Sequence, residues 1–121
     1  MKGLHLTADL SGVDAALPAM TDPVVLAALC RSAVAASGLS GVAELFHRFA
    51  PHEAQSGITG VVLLAESHVA VHTWPELGAA TLDVYVCNFA GDNSAKAEVL
   101  MERLCSAFAP AAASRQRLHR G

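Results

Sequence analysis

The sequence TGVVLLAESHVAVHTWPELG, residues 59–78, contains two apolar segments joined by the polar tripeptide Glu66-Ser67-His68. Residues 60–65 are apolar throughout, which predicts a buried strand, whereas the segment after the tripeptide alternates between two faces. One face of this second strand carries His68, Ala70, His72 and Trp74. The tripeptide contains no Gly, Pro or Asn and is a poor turn, so Ser67 is a candidate reactive residue.

The residues before this stretch predict a strand, a helix and a second strand. Residues 3–10 alternate between apolar and mildly polar side chains, as in a half-buried strand. Thr21-Asp22-Pro23 has the cap and the proline of a helix start, and Gly38 is suited to the helix end. Residues 41–49 predict the next strand, and residues 50–57 a surface loop.

The residues after this stretch predict one more strand and a second helix. Pro75 ends the strand that holds Trp74, and the chain returns as a strand over residues 80–87. Asp92-Asn93-Ser94 can cap a helix that runs to about Phe108. Its apolar stripe is expected to hold Val99, Leu100, Arg103, Leu104 and Phe108. The last dozen residues could add a short edge strand or stay outside the regular structure.

The order of elements is βαββββα, with a possible terminal strand, and it indicates one α+β domain over residues 1–121. Short connections between consecutive strands favour an antiparallel sheet, and two helices are enough to cover only one of its faces. The other face is then expected to carry His5, His72, Trp74 and Cys87.

Composition limits the classes of partner. Hydrophobic residues make up 53% and charged residues 16%, so some apolar surface should remain for a protein partner. The net charge is −3, and the longest basic cluster is RQRLHR near the end of the chain, which argues against nucleic-acid binding. No apolar run is long enough for a membrane span, and no signal peptide is recognisable, so we expect a cytoplasmic protein.

The three cysteines are expected to be free thiols. Cys30, Cys87 and Cys105 are odd in number and have no CxxC spacing, which argues against a disulfide framework and a zinc ribbon. A metal site built from His5, His68, His72 and Cys87 is a weaker alternative. His68 and His72 are four residues apart on a strand, roughly 13 Å at ~3.3 Å per residue, too far to share one ion. We therefore predict no metal.

Three linked motifs resemble those of the small bacterial S-adenosylmethionine decarboxylase proenzymes. They are Glu66-Ser67-His68, the sequence HTWPE at residues 72–76 and the sequence DVYVC at residues 83–87, and GLHLTADL at 3–10 and FHRF at 46–49 extend the similarity. The resemblance implies a two-layer α/β sandwich with two helices on one face of an antiparallel sheet. It also implies a homodimer of four layers, with the active sites at or near the interface.

The resemblance implies self-cleavage between Glu66 and Ser67 into a beta chain, residues 1–66, and an alpha chain, residues 67–121. The Ser67 hydroxyl attacks the Glu66 carbonyl, and elimination and hydrolysis leave a pyruvoyl group at position 67. That group forms a Schiff base with the substrate amine and accepts the electrons released with CO₂. The protein would thus make its own cofactor.

The resemblance also assigns roles to six other residues. His72 is the candidate base for processing, Thr59 is a candidate helper in processing, and Cys87 is the candidate proton donor. Phe49, Trp74 and Glu76 are the candidates for binding substrate, through aromatic stacking and hydrogen bonds to ribose. Ordinary explanations stay open: His72 as a half-buried strand histidine, Cys87 as strand-end packing and Phe49 as a core aromatic.

The implied activity is conversion of S-adenosylmethionine to S-adenosylmethioninamine and CO₂ for spermidine biosynthesis. A pyruvoyl-dependent decarboxylase of arginine or ornithine is the alternative, because the self-cleavage motifs act on groups that all these substrates share. A binding module without catalysis is the remaining alternative.

Overall fold

The computed structural model describes all 121 residues and contains six strands and two α-helices. In chain order they are β1 (Gly3–Ser11), α1 (Pro23–Ser37), β2 (Gly41–Arg48), β3 (Ile58–Leu64), β4 (Ser67–Trp74), β5 (Ala79–Cys87), α2 (Ser94–Phe108) and β6 (Ala112–Arg120). The strands form one sheet in the order β2-β3-β4-β5-β1-β6, and every neighbouring pair is antiparallel. The predicted α+β sandwich and its antiparallel sheet are confirmed.

Helix α1 begins and ends at the residues that the sequence indicates. The Asp22 side chain accepts a hydrogen bond of 2.9 Å from the Val24 N–H, and Pro23 occupies the first turn, where its missing N–H costs nothing. Gly38 follows the helix with a φ of 84°, a left-handed conformation that glycine adopts without a steric penalty.

The buried face of helix α2 differs from the prediction. Val99 is 42% exposed and Arg103 is also exposed. The buried residues are Ala97, Leu100, Met101, Leu104, Cys105 and Phe108. Their spacing of three and four residues gives a stripe that packs on α1, β1 and β5. The predicted stripe was therefore wrong on one side, because it counted Val99 by its apolarity and overlooked the small Ala97.

The core lies between the helices and one face of the sheet. The alternating apolar residues of the central strands are buried there: Leu4, Leu6, Ala8 and Leu10 of β1, Val69 and Val71 of β4, and Leu82, Val84 and Val86 of β5. Burial of such side chains contributes about 1.5–3 kcal/mol each relative to exposure. This alternation fixes which side chains point to the helix-free face.

The helix-free face of the sheet is partly apolar and carries several histidines. Leu45, Leu63 and Leu118 belong to this face and are 71%, 47% and 55% exposed. His68 and His72 lie on the same face, in agreement with the predicted alternation. A monomer thus leaves a broad, mixed apolar and polar surface without cover.

The end of the chain forms a strand rather than remaining irregular. Strand β6 pairs with β1 over nine positions, from Ala112 opposite Ser11 to Arg120 opposite Gly3. Arg115 and Arg117 form ion pairs with Glu102 and Glu98 of α2. Strand β1 consequently lies between β5 and β6.

None of the helices is both long and apolar enough to span a membrane.

Candidate active site

The turn between β3 and β4 is shorter than the sequence suggests. Only Ala65 and Glu66 form it, and Leu64 pairs directly with Ser67. Ser67 and His68 are therefore the first residues of β4, so His68 belongs to this strand as predicted and only Glu66 of the tripeptide lies in the turn. Both sites of possible cleavage chemistry, the Glu66 carbonyl and the Ser67 hydroxyl, lie at the edge of regular structure.

Ser67 has a strained backbone. Its φ is 150°, in a region that side-chain-bearing residues rarely adopt, and the residue is half-buried. Such conformations cost on the order of 1–3 kcal/mol and persist where the surrounding structure holds them. The strain falls on the residue that follows the Glu66–Ser67 peptide bond.

Glu66 is held through both its main chain and its side chain. Its carbonyl oxygen accepts a hydrogen bond of 2.7 Å from the Cys87 backbone N–H. Its carboxylate accepts one of 3.1 Å from the Ser40 N–H, and the Ser40 carbonyl in turn accepts one of 2.8 Å from Ala65. A donor on the carbonyl favours negative charge on that oxygen, as in an oxyanion hole. Sequence motifs carry no signal for these backbone contacts.

Two further candidate side chains belong to residues that adjoin the Glu66–Ser67 peptide bond, His68 in the chain and Cys87 through its backbone bond to Glu66. The Ser67 Oγ is 3.2 Å from Nδ1 of His68, and the Cys87 thiol stands at the end of β5, with its sulfur 3.1 Å from that of Met1. Cys87 is half-buried. Its position next to the turn follows from the backbone bond that it donates to Glu66.

All three cysteines are free thiols, as predicted, but their environments differ. Burial, together with the charge of Glu44, raises the pKa of the Cys30 thiol to about 12. Burial also raises the pKa of the Cys105 thiol. Both thiols therefore remain protonated inside the core and suit packing, which leaves Cys87 as the one cysteine that is not buried.

A second group of candidate residues surrounds His72. Its Nδ1 is 2.8 Å from the Thr59 Oγ1, and its ring lies 5.8 Å from that of Trp74 at an interplanar angle of 36°. Phe49, Trp74 and Glu76 line a cleft of about 260 Å³ together with His72. The structure therefore brings together all three predicted substrate residues and the predicted base.

The loop before β3 places Phe49 in this cleft. The Phe49 N–H donates a bond of 2.9 Å to the Gly57 carbonyl, which closes the loop of residues 50–57. Arg48 spans the loop through bonds to the Ser56 hydroxyl and the Glu53 carbonyl, both 3.0 Å long. Phe49 remains 50% exposed, so its ring is available for contact and is not a core aromatic.

The two groups of residues are far apart within one chain. His72 follows Ser67 by five positions on β4, which places them roughly 16 Å apart at ~3.3 Å per residue. The chain alone therefore does not bring His72 or Thr59 to Ser67.

No group of three or more His, Cys, Asp or Glu side chains is arranged to hold a metal ion. His5 instead contacts Asp83.

Comparison with known proteins gives consistent matches over nearly the whole length. The family model described as S-adenosylmethionine decarboxylase matches residues 4–121. The S-adenosylmethionine decarboxylase proenzyme of Aquifex aeolicus is 42% identical over 119 residues, which cover 98% of this chain and 81% of that protein. The proenzyme of Archaeoglobus fulgidus is 37% identical over 119 residues, covering 98% and 97%.

A solved structure agrees with these matches. The crystal structure of the adenosylmethionine decarboxylase from Aquifex aeolicus superposes with a TM-score of 0.85 at 39% identity and covers 98% of this chain and 90% of that one. The resemblance seen in the sequence motifs is thus confirmed by both sequence and fold. The chain belongs to the S-adenosylmethionine decarboxylase family.

Proposed function

We propose that the chain is a self-processing decarboxylase that cleaves itself between Glu66 and Ser67 and then converts S-adenosylmethionine to S-adenosylmethioninamine and CO₂. The observation that carries this proposal is the geometry of one peptide bond in a chain of this family. Its carbonyl accepts the Cys87 N–H at 2.7 Å, and the following Ser67 is strained at a φ of 150°. Backbone strain at Ser67 is typical of functional sites, and a donor on the Glu66 carbonyl oxygen favours attack on that carbonyl.

Cleavage requires that Ser67 Oγ bond to the Glu66 carbonyl carbon as the C–N bond breaks. The Cys87 N–H stabilises the negative charge that develops on the carbonyl oxygen in that step. The Ser40 N–H fixes the Glu66 carboxylate on the opposite side of the turn, so the carbonyl keeps its orientation. The product would be a beta chain of residues 1–66 and an alpha chain that begins at position 67.

A pyruvoyl group at position 67 fits the residues around it. The position is half-buried at the start of β4, the His68 ring contacts it, and the backbone of Cys87 is bonded to the preceding residue, Glu66. Such a group serves as an electron sink for decarboxylation, which no unmodified side chain provides. A thiol can act as a general acid, and Cys87 is the proposed donor of the proton to the substrate carbon after CO₂ leaves.

The cleft around His72 is proposed to bind the nucleoside part of the substrate. The faces of Phe49 and Trp74 offer a stacking surface for adenine and a favourable environment for the sulfonium cation. Glu76 can accept hydrogen bonds from ribose hydroxyls. Arginine and ornithine carry neither an adenine to stack on these rings nor ribose hydroxyls for Glu76, so the combination of Trp74 and Glu76 favours the nucleoside.

The two halves of this site are proposed to come from two copies of the chain. Ser67 and Cys87 lie at one end of β4, and His72, Thr59 and the cleft lie at the other. A two-fold axis that lies midway between two stacked sheets and passes over β4 near Ala70, perpendicular to the strand, would place Ser67 opposite the partner's His72, once on each side of the axis. Packed sheets stand ~10 Å apart, within reach of interdigitating side chains. The exposed apolar residues of the helix-free face support such a homodimer.

Cleavage is tested by intact mass spectrometry of the expressed protein. We expect two chains, residues 1–66 and residues 67–121, with the second resistant to Edman sequencing because its amino group has been lost. Ser67→Ala should give an intact chain of 12.5 kDa. A wild-type protein that stays intact under native conditions would overturn the proposal.

Substrate choice is tested with the cleaved protein. We expect CO₂ release from S-adenosylmethionine at a far higher kcat/KM than from arginine or ornithine. Glu76→Gln should weaken binding of the nucleoside by about 1–3 kcal/mol through loss of charge-assisted hydrogen bonds. Glu53→Gln, on the exposed surface of the loop, is the matched control. Faster turnover of arginine or ornithine would establish the alternative.

The free thiols also support a cytoplasmic location, which remains part of the proposal.

A further inference from the structure

The Ser67 hydroxyl makes one side-chain hydrogen bond, and its partner is the next residue in the chain. Oγ of Ser67 and Nδ1 of His68 are 3.2 Å apart. His72, the histidine with a processing role by resemblance, is roughly 16 Å away in the same chain at ~3.3 Å per residue. Two histidines on one strand therefore have different relations to Ser67, and only His68 reaches it without a partner subunit.

This contact depends on the strained backbone of Ser67. In a regular strand, consecutive side chains point to opposite faces, so a serine and the following histidine cannot meet. The φ of 150° at Ser67 departs from strand geometry and turns the hydroxyl toward the face that carries His68. The same φ of Ser67 therefore accounts for both the backbone strain at this residue and its contact with His68.

The surroundings hold the His68 ring in place. Tyr85 lies across from it on β5, with ring centroids 5.8 Å apart at an angle of 64°, and Leu63 lies across from it on β3. Tyr85 in turn packs against His5 at 5.4 Å and lies under the Arg120 guanidinium at 5.1 Å. The histidine ring is therefore flanked on both sides, and Nδ1 is directed at the hydroxyl.

We propose that His68 is the base for the first step of self-cleavage, an inference that rests on the cleavage proposed above. His68 Nδ1 takes the hydroxyl proton as Ser67 Oγ bonds to the Glu66 carbonyl carbon. The Glu66–Ser67 C–N bond then breaks, and the proton passes from His68 to the Ser67 nitrogen, which leaves an ester and a free amine. No other reactant is needed, and each His68 serves its own chain.

Later steps remain for the partner's His72. The ester must lose a proton from the Ser67 Cα as the Glu66 carboxylate departs, and a second base is needed because His68 lies on the hydroxyl side of the residue. His68 is thus assigned to the conversion of the amide to the ester, and His72 to the loss of the ester. The two roles can be tested, because a His68 variant should retain the amide and a His72 variant the ester.

The experiment follows His68→Ala and His68→Gln made by cell-free translation and sampled over time by intact mass spectrometry. We expect cleavage to slow by ~10²–10⁴-fold in both, the usual contribution of a positioned base. Added imidazole should restore much of the rate in His68→Ala, where it can enter the vacated space, and not in His68→Gln. Hydroxylamine, which opens esters but not amides, should leave the uncleaved His68 variants intact.

His119→Gln is the matched control, because His119 is exposed on β6 and distant from Ser67 in the sheet. It should cleave at the wild-type rate. Wild-type rates in both His68 variants would overturn the inference, as would slow cleavage of folded His68→Ala without imidazole rescue, or a hydroxylamine-sensitive ester accumulating in either variant. Failure of the wild-type chain to cleave would instead overturn the proposed function, so the two failures are distinguishable.

Discussion

Cys87 offers two groups near the Glu66–Ser67 peptide bond, and the proposed function assigns them to different steps. Its backbone N–H donates a hydrogen bond to the Glu66 carbonyl, which is the group attacked in the proposed cleavage, whereas its thiol is the proposed proton donor to the substrate carbon. A substitution that removes the thiol keeps the N–H. The two roles can therefore be separated in one variant.

For Cys87→Ala we expect cleavage to proceed and turnover of the cleaved protein to fall by ~10²–10⁴-fold, because the positioned acid is lost. Without that acid, protonation at the pyruvoyl carbon should compete, and alanine should appear at position 67 by mass spectrometry. Cys105→Ala, which changes a buried thiol of α2, is the control. Full turnover by cleaved Cys87→Ala, without faster inactivation, would return Cys87 to a packing role.

For individual residues, the sequence predicts the candidate site side chains through motifs whose members are close in the chain. Trp74 and Glu76 follow His72 directly, and the structure groups them in one cleft. The φ of Ser67 and the bond from the Cys87 N–H to Glu66 could not be predicted, because both are main-chain features set by the pairing of three strands. Nor does a motif reveal that Ser67 and His72 lie at opposite ends of β4.

Strand β6 shows how an element can form without a pattern of its own. All nine of its residues are exposed, and its sequence AASRQRLHR has no alternation that would indicate a strand. Its structure comes from the backbone ladder with β1. The ion pairs from Arg115 and Arg117 are exposed and contribute little by comparison. The helices, in contrast, carry local caps and were predictable from sequence, apart from one side of the α2 stripe.

Removal of residues 110–121 should destabilise the chain, because β1 loses the partner on one side. In a Ser67→Ala background, which keeps one intact chain, we expect Tm to fall by at least ~4 °C, the shift that about 1 kcal/mol produces in a domain of this size. Thermal unfolding followed by circular dichroism measures it. Removal of Gly121 alone is the control, and an unchanged Tm after the longer deletion would show that β6 is dispensable.

Two features of the whole molecule support the proposed homodimer. It exposes Leu45, Leu63 and Leu118 on one face of the sheet, and it separates the cleft at His72 from Ser67. In the proposed homodimer, stacking two copies through this face would cover the exposed leucines and would bring the cleft of one chain to Ser67 of the other. The high apolar content predicts a partner surface, but the residues that form it become identifiable only after the strand register assigns each side chain to a face.

A shared site predicts complementation between two inactive variants. Ser67→Ala and His72→Ala should each fail to yield a pyruvoyl-blocked alpha chain when expressed alone. In a mixed dimer, the intact Ser67 of one chain faces an intact His72 of the partner subunit, so the His72→Ala chain should be processed. Co-expression with differently tagged chains and intact mass measurement test this. Absence of the alpha chain from purified mixed dimers, or a monomeric wild-type protein by light scattering, would contradict it.

The position of β1 between β5 and β6 indicates that the chain folds before the proposed cleavage. The proposed cut after Glu66 would leave β1 in one polypeptide and its two neighbours, β5 and β6, in the other, while β3 and β4 would still pair across the cut. The two polypeptides are interleaved and should stay together after the cut. Assembly from separated pieces, however, becomes a bimolecular reaction that depends on concentration, whereas the uncut chain folds unimolecularly. We therefore expect a cleaved molecule to refold less readily after denaturation than the uncut chain, because the covalent link between β1 and its neighbouring strands was lost at the cut.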